Sequence, residues 1–299
     1  MQNINESIDY TLEKKEYQIA SLESNYSKSK EEINDFLDKK KSAVSVTIGF
    51  EDLSIWYHWN FINYSLKRNI INYEFLSHAT LYGIDSNNVR FFLGKKVETY
   101  KQSIQFDKAI KHMAQALLLG WDTLAIKYGK MLIIMLYGKQ YKGWHSVYKH
   151  TWFMLEIFCK WQNIQLDYSK LYYPEDMDIY QEVLDNWDTR DERLLAKLVN
   201  NISDFHIAQS DEYVTTDEYG NEQSADFSSS DYFIYAIEIL LWLNNRCRMG
   251  LPDYIAGNEL MQLPINNWHT QKMEVPYIIL IEKAKAKLLD DYPGIEFEI

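Results

Sequence analysis

Apolar side chains recur along this chain at helical spacing. From about Ser7 to Lys41, Leu12, Ile19, Tyr26 and Ile33 stand seven residues apart, with Ile8, Leu22 and Phe36 on a neighbouring row. No Gly or Pro interrupts the stretch. A narrow stripe of this kind predicts one long helix, an arm of residues 1–42. Lys15 and Ser29 break the second row, which favours a helix packed on a body over a long dimeric coiled coil.

Further helices are predicted over Leu53 to Asn69 and Asn72 to Tyr82, then from a cap at Asp85-Ser86-Asn87 through Tyr100. Phe106 to Gly120 and Trp121 to Gly138 read as an antiparallel pair around a tight turn at Gly120. Trp144 to Ile164 carries apolar groups on most faces, as a buried central helix does. Pro174 predicts the start of a helix to Trp187, and Asp188-Thr189 the cap of one from about Arg190 to Ala208. Tyr232 to Met249 and Val275 to Leu289 complete the set, the latter with Pro276 in its first turn. All five prolines lie at or beyond position 174, and glycines are isolated, so a strand-and-turn protein is a poor fit. The expected fold is all-α: helical hairpins packed into a main domain of residues 43–299.

Composition adds limits. The chain has 299 residues, 46% hydrophobic and 15% aromatic, enough for a large core. Its two cysteines, Cys159 and Cys247, lie in apolar helical context and are expected to be small buried hydrophobes. The sequence MQNINESIDY has no basic-then-apolar leader, and no apolar run approaches the ~18 residues of a membrane span. A cytoplasmic protein without membrane association is expected. The net charge of −12 argues against nucleic acid as a partner.

That charge is unevenly spread. Leu198 to Asn245 contains nine acids and neither Lys nor Arg. Within it, residues 211–230 form a long polar loop, with a small hairpin expected over Thr215 to Gln223. Acids interleaved with rings predict a recognition surface for a basic partner, drawn from Asp204, Asp211, Glu212, Tyr213, Asp217, Glu218, Tyr219, Glu222 and Asp226. Catalytic signatures are missing: no phosphate-binding Gly-rich loop, G-x-S-x-G, H-E-x-x-H, C-x-x-C or E-x-x-H occurs. Glu74 and His78 are four apart, a spacing common by chance, and no metal or other cofactor is expected.

From about Trp144 onward the chain resembles helical immunity proteins of bacterial polymorphic toxin systems. The resemblance rests on the aromatic helix TWFMLEIFCKW (Thr151 to Trp161) followed by Leu171-Tyr172-Tyr173-Pro174-Glu175-Asp176-Met177, similar to PoNi-type proteins. Phe205-His206 and Glu238-Ile239-Leu240-Leu241-Trp242-Leu243, with Arg246, Gly250, Leu251 and Pro252, extend it and fit other helical immunity families equally. The resemblance implies a non-enzymatic inhibitor that binds a cognate protein toxin with a basic cleft and blocks its active site. A helical scaffold and an enzyme with a non-local site remain the alternatives, and the oligomeric state is open.

Overall fold

The computed structural model describes residues 3–95, 104–138, 148–216, 222–267 and 271–299; for Leu22 and residues 214–216, 222 and 223 only the backbone is described. The described residues form an all-α fold, with one two-stranded antiparallel hairpin. No helix among them is long and apolar enough to cross a membrane. By packing, the chain divides into two units: Met1–Glu16, Ile62–Ile71 and Trp144–Thr270, and Tyr17–Phe61, Asn72–Gly143 and Gln271–Ile299. The division falls within the first two helices, α1 (Ile4–Leu37) and α2 (Val44–Arg68).

In α1 the buried positions are Ile4, Ser7, Thr11 and Lys15 at one end and Ser29, Ile33 and Phe36 at the other. The expected stripe is therefore displaced: Leu12 and Ile19 are only half-buried, and polar side chains face inward. Two of them have partners. Thr11 Oγ1 donates to Ser7 O (2.8 Å), with Ser230 O also near it (3.1 Å), and Ser29 Oγ donates to Asp52 Oδ2 (3.1 Å).

In the second unit, α3 (Tyr73–Gly94), α4 (Phe106–Leu118), α5 (Asp122–Tyr137) and α11 (Ile279–Asp291) pack in the order α5, α4, α3, α11. Asn72 caps α3, its side-chain oxygen accepting from Phe75 N. The expected break at Asp85-Ser86-Asn87 does not occur: α3 runs straight through. Asp85, Ser86, Asn87 and Asn88 are all buried in its middle. Each is bonded across the unit, to Lys285 Nζ (3.1 Å), Thr47 O (2.8 Å), Tyr128 Oη (2.7 Å) and Ile299 O respectively. Residues that cap helices by bonding their own backbone here satisfy other elements. The stretch 96–103, into which that helix was expected to run, lies outside the described residues. Gly120, with φ +81°, makes the turn between α4 and α5. A Cβ there would lie 1.9 Å from Gln271 O, because the extended segment after residue 270 pairs with this turn through Gln271 N→Leu118 O (3.0 Å) and Met273 N→Leu119 O (3.1 Å).

In the first unit, α6 (Lys149–Gln162) packs on α7 (Ile179–Asp185) and α9 (Ile237–Arg248), and α8 (Glu192–Ala208) on α7 and α9. Trp152, Phe153, Phe158 and Trp242 are fully buried, so the central-helix reading of this segment holds; residues 139–147 lie outside the described residues. Several boundaries move. Pro174 starts no helix, since only Ile179–Asp185 is helical. Asp191, rather than Asp188-Thr189, caps α8, accepting from Arg193 N and Leu194 N. Ser230–Tyr232 is a 3-10 turn, and α9 starts at Ile237. Pro276 precedes α11, and α10 (Glu259–Gln262) is an addition. Buried Arg246 replaces missing local contacts by donating to Trp187 O (2.8 Å), Thr189 O (2.8 Å) and Pro252 O (3.1 Å). Both cysteines are free, and Cys159 is buried, but Cys247 is exposed: it lies near the end of α9 beside Asp253, outside the apolar interface expected for it.

Candidate functional site

The acid-rich segment begins at the end of α8 and ends before α9. Its base is clasped by backbone bonds from Asp211 N to Phe227 O (3.1 Å) and from Phe227 N to Gln209 O (3.0 Å). Between them, β1 (Val214–Thr216) pairs with β2 (Glu222–Ser224), the hairpin expected from sequence. These bonds hold the two ends of the long polar loop together.

Two of the nine predicted residues serve as anchors. Asp226 is buried at 7% exposure. Its carboxylate accepts from Lys149 N (2.5 Å) and His150 N (3.0 Å), the first two amides of α6. Tyr180 Oη donates to it at 3.3 Å, and His150 Nδ1 lies 3.1 Å away. The N-cap residue Tyr148 supplies no side-chain bond, so Asp226 performs the capping from a distant part of the chain. Burial pushes this carboxyl up, but the His150 charge and the bonds from His150 and Lys149 outweigh it and hold the group below the usual range. Asp226 faces inward, so the expectation that it lies on an outward recognition surface is corrected to a structural role.

Glu212 ties the loop to α1. Tyr10 Oη donates to its Oε2 (2.9 Å), Lys14 Nζ lies 3.0 Å from the same oxygen, and Ser230 N donates to Oε1 (3.3 Å). Burial raises its carboxyl, while the bonds from Ser230, Lys14 and Tyr10 bring it net below the ordinary value.

Of the other predicted residues, Asp204 and Tyr213 are exposed and Asp211 is half-buried. Asp204 is exposed on α8 and accepts from Asn258 Nδ2 (3.1 Å). Asp211 accepts from Tyr213 N (3.0 Å), and the Tyr213 ring is 69% exposed. Glu222 lies on β2. Asp217, Glu218 and Tyr219 lie outside the described residues.

Asp204 also lines a cleft of about 550 Å³ in this unit. Its other walls include Asn3, Asn200, Asn258 and Glu259, over a floor of Ile4, Ile207 and Leu260. One wall is held in place by Tyr254, whose hydroxyl accepts from Gly257 N (2.9 Å) and Asn258 N (3.1 Å) and donates to Asn200 Oδ1 (3.2 Å). Carboxylates and amide groups over an apolar floor, with no basic side chain among the lining residues, suit the stem and charged head of a lysine or arginine. Asn200, Asn258 and Glu259 were missed from sequence. Asn258 and Glu259 lie at the start of α10, and their approach to Asp204 is a long-range fact.

Elsewhere in this unit His206 is fully buried. Its Nε2 donates to Tyr232 O (2.9 Å) and its Nδ1 lies 2.8 Å from Glu238 Oε1. The Phe227 ring stacks on His150 (4.5 Å) and contacts His206 (3.9 Å), so these residues pack the neck of the loop. In the second unit Ser54 Oγ lies 3.3 Å from His112 Nε2. The serine proton goes to Ala79 O (2.6 Å), so the pair is not arranged for the histidine to accept that proton. Glu74 and His78 are joined only through His78 Nδ1 and the Glu74 carbonyl (2.9 Å). Among the described residues no three His, Cys, Asp or Glu side chains are grouped to hold a metal.

Comparison with protein-family models, curated proteins and solved structures returns no match to this chain.

Proposed function

We propose that this protein is an immunity-type inhibitor, which acts in the cytoplasm of the producing cell by binding a basic protein toxin and occluding its active site. The reading is carried by one observation. The base-free acidic run divides its labour: Glu212 and Asp226 fasten the loop, while Asp204, on the wall of an acidic cleft, and the Tyr213 ring are exposed, with Asp211 half-buried between them in sequence. A fastened loop carrying outward acids and an accessible ring combines what raises on-rate with what slows dissociation. The resemblance of the segment after Trp144 to helical immunity proteins supports the same class.

The test begins with a stoichiometric partner captured from the producing cells. Its expression alone must be toxic, and co-expression of this chain must restore growth. With that partner in hand, Asp204→Asn, Asp211→Asn and Glu259→Gln together should slow association about tenfold at low salt, with the difference shrinking as salt rises. An unaltered on-rate and full protection by the triple variant would refute the acidic-face reading. A captured partner that is acidic or harmless would refute the immunity reading itself.

A further inference from the structure

The second unit holds a small, partly open polar cavity of about 10 Å³ between α2, α3 and α4, whose lining includes Glu51, Gly83, Gln105, Arg90, Lys108 and His112. Arg90 is 8% exposed, and His112 is half-buried. Arg90 pairs with Glu51 through Nη2, and Lys108 Nζ lies 3.3 Å from the other oxygen of Glu51. Two buried polar atoms on the wall have no protein partner: Arg90 Nε and His112 Nδ1.

The hydrogen-bond pattern assigns the tautomer of His112. Ser54 has one hydroxyl proton, which it donates to Ala79 O at 2.6 Å. The contact between Ser54 Oγ and His112 Nε2 at 3.3 Å therefore requires the proton on Nε2. Burial, reinforced by the neighbouring His58 charge, pushes the imidazole down to about 3, so the ring is neutral and Nδ1 presents a bare lone pair. Arg90 Nε always carries a proton. The cavity thus faces one acceptor and one donor toward the same space.

We propose that this cavity is a binding site for a single structural water, which donates to His112 Nδ1 and accepts from Arg90 Nε. The volume matches about one water-sized sphere, the least that holds a water. Satisfying two buried groups outweighs the cost of immobilising one molecule. A metal cation on Nδ1 would sit beside the Arg90 and Lys108 charges. An anion on Arg90 would face the lone pair of His112 and the Glu51 carboxylate. Water alone serves both walls.

A crystal structure of the full chain, at a resolution that shows ordered waters, tests this directly. One water within hydrogen-bonding distance of both atoms is expected. An empty cavity, a side chain filling it, or a species with anomalous signal such as chloride would overturn the proposal. In solution, ¹⁵N spectra of the histidines should show His112 protonated at Nε2, with Nδ1 shifted as a hydrogen-bond acceptor; a proton on Nδ1, or an unbonded Nδ1, would overturn it without any variant. His112→Phe retains a ring but removes the acceptor, and the water should be lost from it. Undiminished density in that variant would remove His112 from the site.

Discussion

Gly83 offers the sharpest quantitative test of the packing. It sits inside α3, where alanine is intrinsically better by about 1 kcal/mol, so substitution on local grounds should stabilise the protein. The tertiary structure predicts the reverse. A Cβ built on Gly83 would lie 2.2 Å from His112 Cε1, 2.4 Å from Nε2 and 2.5 Å from Nδ1. The imidazole is half-buried, with Nδ1 shut off from solvent and Nε2 held against Ser54. Moving it breaks the contact with Ser54 and disturbs the wall beside Arg90. Overpacking of this kind costs about 1–3 kcal/mol, and this contact stands at the severe end; with the lost hydrogen bond at about 1 kcal/mol, the net effect of Gly83→Ala is a destabilisation of about 1–3 kcal/mol. Urea unfolding followed by far-ultraviolet circular dichroism measures it. The companion Gly83→Ala/His112→Ala should be less destabilised than the sum of the single changes, by about 1–2 kcal/mol, because the clash is absent. A Gly83→Ala protein as stable as the parent, or strictly additive single changes, would refute the claim that glycine is there to admit the imidazole.

Asp226→Ala should cost about 2–4 kcal/mol, since it strips a buried acceptor from the first amides of α6. Asp226 also titrates below its ordinary value when folded, so its stabilisation is fully present above about pH 4, the unfolded value, and is lost as pH falls through the lowered folded value. Acid unfolding of Asp226→Asn should lack that limb, and an unchanged acid profile would contradict the assignment. Gly120→Ala should destabilise by more than about 1 kcal/mol, because it combines positive φ with a Cβ 1.9 Å from Gln271 O; thermal melts read it. Glu212→Ala should leave the fold intact while accelerating hydrogen exchange at Ser230 N, whose acceptor is Glu212 Oε1; unchanged protection would show that the loop is not fastened there.

Local pattern carried the helical class, the Gly120 turn, the buried central helix and the small hairpin, because each follows from residue spacing or from turn chemistry within a short window. It misjudged α3 because Asp, Ser and Asn are ambiguous. They end helices when they bond nearby backbone, yet Asp85, Ser86 and Asn87 bond to Lys285, Thr47 and Tyr128, at separations no window covers. The stripe in α1 was displaced for a related reason, since buried Ser29 bonds to Asp52 on the next helix. In the acidic segment the excess charge was legible, but its division into fasteners and outward groups was not. Asp226 and Asp204 are the same residue type in the same run, and only the proximity of the α6 terminus to one of them separates their roles.

The polar stretch in the middle of α3 works as a key. Its teeth, from Asp85 to Asn88, fit partners on α2, α5, α11 and the last residue of the chain at one axial position alone. Sliding the helix by one turn, about 5.4 Å, would keep an apolar face against its neighbours but withdraw every tooth from its slot. A purely greasy helix would tolerate several such settings. This one distinguishes among them, so what the buried polar groups contribute is the alignment of the bundle more than its strength.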